Sequence, residues 1–128
     1  MISLNYLIQL AVIPNALKYP TVIELFATAN ANSLFWYIEM TGYGFLGLAT
    51  WAGGMLFGGN PRKKAIRYLF VANGISSVLG TVLTFIFKGW VMSPAGLVSY
   101  LLWNVLVLIV MILVLVEYKS GKALKPNR

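Results

Sequence analysis

Apolar residues fall along the chain in three long blocks, residues 34–57, 66–87 and 95–118, separated by short polar or glycine- and proline-rich breaks. Each block exceeds the ~20 residues that an α-helix needs to cross a hydrocarbon core of ~30 Å. Peptide groups in lipid must pair within their own segment, so the blocks predict three transmembrane helices. The breaks carry matching local signals. Asn32 or Ser33 can cap the first helix, and Gly58-Gly59-Asn60-Pro61 ends it. Ser93-Pro94 reads as an N-cap followed by proline at the first helical position, and Gly121 as the stop of the third helix.

The N-terminal part is apolar from Met1 to Ile13 but too short to span, and it stops at Pro14-Asn15. It lacks the basic start and small-residue cleavage site of a signal peptide. Two readings stay open: a short half-inserted helix, or the end of a helix that begins earlier. Asn5 and Gln9 would share one face of it. Thr21-Val22-Ile23-Glu24, just after Pro20, is a capping-box pattern and predicts a short interfacial helix over residues 21–29 with Glu24 as a cap residue. The expected fold is therefore all-α, a polytopic membrane helix bundle in a single domain over residues 1–128. It has three full transmembrane helices, a short N-terminal half-helix and a short interfacial helix, with residues 121–128 as a basic cytoplasmic tail.

Composition supports lipid as the solvent. Hydrophobic residues make up 59% of the chain and charged residues 10%, against about 25% charged in soluble domains. Eight of the ten basic residues form two clusters, Arg62, Lys63, Lys64, Arg67 and Lys119, Lys122, Lys125, Arg128, each flanking an apolar block. The net charge of +7 is thus a topology signal, suited to anionic headgroups rather than to nucleic acid. Lys18 and Lys88 are alone in their segments. The positive-inside rule then places the first inter-helix loop and the C-terminus in the cytoplasm, and Lys18, Glu24 and Lys88 outside. Trp36, Tyr37 and Trp90 at the outer ends, and Tyr68 and Tyr118 at the inner ends, fit interfacial aromatic belts.

Glu39 is the candidate with the most chemistry. An ionisable group in a membrane helix costs roughly 2.5–3.5 kcal/mol at the helix centre, and it usually has a partner, a cavity or a task. On the helical period it shares a broad stripe with Gly42, Tyr43, Leu46, Thr50 and Gly53, so it should face the bundle. Gly54 and Gly58 add a small-xxx-small pattern. In the second block Asn73, Ser77, Gly80 and Thr84 line one stripe, suited to close helix contact in lipid. Asn104 is the strongly polar interior residue of the third block and predicts an interhelical hydrogen bond. Lys88 is the expected ion-pair partner of Glu39, the alternative being a neutral carboxyl, and Glu117 is expected beside the cluster that holds Arg67.

The chain has no cysteine and no histidine, which removes disulfides, thiolate chemistry and Cys/His zinc sites. Its three carboxylates lie in different regions. No nucleophile–base pair can be assembled, so no catalytic residue, metal or cofactor is expected.

The stretches Asn5-Tyr6-Leu7-Ile8-Gln9, Phe35-Trp36-Tyr37-Ile38-Glu39-Met40-Thr41-Gly42-Tyr43 and Ala65-Ile66-Arg67-Tyr68-Leu69-Phe70 together resemble a group of uncharacterised prokaryotic integral membrane proteins. Those are longer, with an additional helix before the first stretch. The resemblance implies a multi-helix membrane fold and a truncated helix over residues 1–13, and brings no activity or substrate. The chain is also similar in layout to small multidrug transporters, through its length and one glutamate in a membrane helix.

Two functions are expected on these grounds. The first is a non-enzymatic membrane protein whose polar and small faces serve bundle packing or association with a homo-oligomer or other membrane subunits. The second is a small oligomeric, proton-coupled transporter that uses Glu39.

Overall fold

A computed structural model of the chain describes residues 1–16, 18–59 and 61–119. Regular structure among these residues is entirely helical: α1 Ile2–Leu7, α2 Pro20–Phe26, α3 Leu34–Gly54, α4 Pro61–Ile86 and α5 Pro94–Lys119. A π turn over Ile8–Val12 and a 3-10 turn over Ile13–Asn15 continue α1 without a break, and a second 3-10 turn, Trp90–Met92, leads into α5.

Proline and glycine set the boundaries. Pro20, Pro61 and Pro94 each begin a helix, where the missing N–H has no partner to lose. Ahead of Pro94, the Ser93 hydroxyl accepts the Gly96 amide at 3.0 Å, closing the expected cap. Gly59 and Gly89 hold φ of +99° and +75°, turning the chain out of α3 and α4.

Several limits differ from expectation. α3 stops at Gly54, three residues early, and α4 starts at Pro61 rather than at residue 66, so the basic cluster lies in its first turns. Pro20 as first helical residue draws the start of α2 forward to a Tyr19 cap, leaving Thr21 inside the helix and Glu24 exposed. The capping box does not form. Ser33 occupies the N-cap of α3, but its hydroxyl makes no cap bond. The expected Gly121 stop and basic tail lie outside the described residues.

α4 and α5 are long and apolar enough to cross a membrane. α3 has a span's length, 21 residues, but Glu39, two threonines and five glycines dilute its apolar character. Two candidate spans therefore stand among the described residues, against the three expected.

α3 and α4 form the tightest pair. At Gly47 an added Cβ would lie 2.6 Å from Ser77 Cβ, and one at Gly74 would lie 2.6 Å from the Gly47 carbonyl oxygen. Only glycine permits that approach. Polar bonds finish the seam: Thr81 donates to the Met40 carbonyl at 2.6 Å, and Asn73 to Thr50 Oγ1 at 3.2 Å. The α3 stripe that meets α4 thus runs through Met40, Gly44, Gly47 and Gly54. The expected stripe faces the bundle but is shared between neighbours: Gly42 meets Ile2 of α1, Thr50 and Gly53 meet α4, and only Leu46 is exposed. A Cβ added at Gly58 would meet nothing within 4 Å, so the Gly54–Gly58 pattern is not a close helix contact.

Candidate functional site

α5 packs chiefly on α4 rather than on α3. Midway along, a bond from Trp103 Nε1 to Ser77 Oγ at 2.8 Å ties the two, while Ser77 donates to the Asn73 carbonyl at 2.9 Å. Gly96 lets the start of α5 press on the Trp90 carbonyl, where any Cβ would collide. The half of the bundle where α3 and α5 begin and α4 ends therefore stays open. It encloses a cavity of about 650 Å³, within the ~300–1,000 Å³ range of small-molecule pockets.

Glu39 lies on the cavity wall and is only 1% exposed. Its neighbour is Asn5, which is fully buried and donates its amide to Glu39 Oε2 and to the Phe35 carbonyl, both at 3.0 Å. Glu39 Oε1 has no hydrogen-bond partner among the described residues. The phenols of Tyr6 and Tyr43 lie within hydrogen-bonding reach of the same carboxyl. A buried acceptor left half satisfied is costly, which marks Glu39 as a place where a ligand group or a proton would bring relief.

Aromatic rings make much of the remaining wall. Tyr43 meets Trp103 edge-on with centroids 5.1 Å apart, and Tyr100 stacks on Trp103 at 6.4 Å. Trp36 and Trp90 complete it, and the Trp36 indole is held by the Thr28 carbonyl at 2.9 Å.

No protein-family model, curated protein or solved structure matches this chain. Function has to be argued from the geometry itself.

That geometry gathers some of the expected residues and separates others. Glu39 and Ser77 line the cavity. Asn73 and Thr84 are buried, Asn73 in the α3–α4 seam and Thr84 bonded to the Gly80 carbonyl of its own helix at 2.8 Å. Asn104 is exposed and donates to the Tyr100 carbonyl of its own helix at 2.8 Å, so the expected interhelical bond is absent; Trp103, its neighbour, makes one instead. Lys88 is exposed beyond the end of α4, and Asn5 occupies the place expected for it beside Glu39. Glu117, 1% exposed, lies beside the expected basic cluster and pairs with its Arg62 at 3.8 Å. Among the described residues no three His, Cys, Asp or Glu side chains converge on a common point.

Sequence reasoning does not single out Asn5 or the aromatic cluster as site residues. The shared face of Asn5 and Gln9 was the available signal: Gln9 donates to the Phe26 carbonyl at 2.6 Å, so the two amides tie α1 and its extension to α2 and α3. Trp36 and Trp90 carried belt signals that concealed their inward part.

Proposed function

We propose that the chain is a multi-pass, non-enzymatic integral protein of the cell membrane. α3, α4 and α5 all cross the bilayer, and the cavity beside Glu39 receives a small ligand. The surface of α5 supports the membrane half of this reading. Only 6% of its most apolar stretch is buried within the chain, whereas a core helix of a soluble protein would be covered; lipid is the cover that this surface fits. α3 crosses with α4 because the two are paired at both ends, Met40 against Thr81 and Gly54 against Phe70. Its glycines and Glu39 lower its hydropathy and turn toward helices rather than toward lipid. Arg62, Lys63, Lys64 and Arg67 put the α3–α4 loop and the C-terminus in the cytoplasm, with anionic headgroups around them, and the cavity in the outer half. The outward apolar face of α5 leaves room for a second copy or another membrane subunit.

The observation that carries the binding half is the unpartnered Oε1 of Glu39 on the wall of an aromatic-lined cavity. Two measurements test the reading. Cysteines placed by Lys64→Cys and Lys88→Cys should react with impermeant maleimide from opposite faces of sealed vesicles; labelling from one face overturns the topology. Neopentylbenzene, a neutral aromatic probe, should shift tryptophan emission in the wild type and less so in Ser99→Phe, which adds a ring to the cavity lining; no saturable shift in the wild type overturns the cavity as a ligand site.

The same buried carboxyl favours a second reading, a proton-coupled carrier in which Glu39 exchanges a proton for solute. Three helices make a thin wall for a pathway, so this version requires an oligomer, most simply a C2 dimer. In liposomes with an imposed pH gradient, solute flux lost in Glu39→Gln selects the carrier, and binding without flux selects the binding protein.

A further inference from the structure

The cavity wall combines one carboxyl with a surround of aromatic rings and, among the described residues, neither lysine nor arginine. Glu39 is 1% exposed, Asn5 satisfies one of its oxygens, and Oε1 is unpartnered and buried. A carboxylate taken out of water without a counter-charge is strongly disfavoured, so the ligand group that would stabilise its charged form here is positive. A small metal ion needs several oxygens to replace its hydration shell, and no such cluster exists among the described residues. The surround is instead π surface: Tyr43 and Tyr100 each against Trp103, with Trp36, Trp90 and Tyr6 beyond. The negative faces of such rings attract weakly hydrated cations, and aromatic cages recognise alkylated ammonium groups in this way.

We infer that the cavity binds a small organic cation, an alkyl- or arylammonium group, with Glu39 as its counter-charge and Tyr43, Tyr100 and Trp103 as its cage. The inference rests on the reading of the cavity as a ligand site and adds the class of ligand. The same chemistry is carried by free amines and by the choline headgroup of phospholipids. A cavity formed where α3 and α5 begin lies within reach of either.

The test compares two probes of equal shape, benzyltrimethylammonium and neopentylbenzene, on the full chain in phosphatidylglycerol nanodiscs, read by tryptophan fluorescence. The cation should bind at least about tenfold more tightly than its neutral counterpart. Glu39→Gln should remove that preference, and Tyr100→Leu should weaken the cation several-fold more than the neutral probe. Tyr100 is half exposed and its side chain makes no hydrogen bond that holds the fold, so this variant keeps the test decisive even where Glu39→Gln does not assemble. Equal affinity for the two probes overturns the inference while leaving the cavity a ligand site. Binding of neither probe overturns both. Repeating the titration in phosphatidylcholine nanodiscs assigns the source: competition by the lipid points to a headgroup ligand, and an unchanged affinity to a soluble amine.

Discussion

Asn5 and Glu39, thirty-four positions apart, are joined by a 3.0 Å hydrogen bond from Asn5 Nδ2 to Glu39 Oε2, and both side chains are buried. α1 has six residues, well short of the ~12–15 at which an isolated helix becomes even marginally stable in water. Tertiary contacts hold it, and the polar ones from Asn5 end on the Phe35 carbonyl and on the carboxyl that lines the cavity. The N-terminal helix and the candidate site are therefore parts of one arrangement.

Asn5→Leu removes the amide that donates to the Glu39 carboxyl and should destabilise the protein by about 1–3 kcal/mol, the usual cost of stranding a buried polar group. The double variant Asn5→Leu/Glu39→Leu should recover part of the loss, because it removes the stranded acceptor as well. Thermal unfolding of the four proteins in detergent gives the coupling directly. Additive losses would show that the bond couples nothing.

Close approach in the α3–α4 seam predicts that Gly74→Ala costs about 1–3 kcal/mol through overpacking, since its Cβ would press on the Gly47 carbonyl and on Trp51. Gly58→Ala, with nothing within 4 Å, should stay within about 0.5 kcal/mol of wild type. The same unfolding assay separates them, and equal effects would mean that the seam is looser than its geometry.

Much of this architecture could be read from residue order. Pro61, Pro94 and the Ser93 cap announce helix starts through local chemistry that lipid does not alter. The buried stripe of α4 was legible too, because Asn73, Ser77 and Thr84 stand out against aliphatic neighbours. α3 was not. Its glycines at 42, 44, 47, 53 and 54 spread over roughly 200° of the helix, too wide for periodicity to select a single face, and Gly42 turns to α1 while Gly44 and Gly47 turn to α4. The cavity was hidden for a different reason. It is lined jointly by residues of α3, α4 and α5, and the convergence of separate helices leaves no mark on a one-dimensional pattern.

Asn104 illustrates how a polar residue in an apolar helix can be less informative than the aromatic beside it. Asn104 is exposed and bonded within its own helix, so Asn104→Leu should change stability by no more than about 0.5 kcal/mol. Trp103→Phe keeps the ring but deletes the bond to Ser77 and should cost about 0.6 kcal/mol or more, the average for interhelical hydrogen bonds in membranes. A larger loss at Asn104 than at Trp103 would move the α4–α5 anchor away from Ser77.

Charge matching by depth pointed to Lys88 as the partner of Glu39, and the observed partner is a neutral amide. The exchange has a physical logic. Bringing an ammonium group from the interface to a buried carboxyl adds a second desolvation cost, whereas Asn5 is already inside and supplies two donors at once. A neutral partner also leaves the charge of Glu39 uncompensated, which is what a cation site requires. Lys88→Gln should therefore leave both unfolding temperature and benzyltrimethylammonium affinity unchanged, while Asn5→Leu lowers the first. If Lys88→Gln instead strengthened cation binding several-fold, the lysine would be acting as a competing counter-ion. Charge balance at Glu39 would then have to be reassigned from the ligand to the protein.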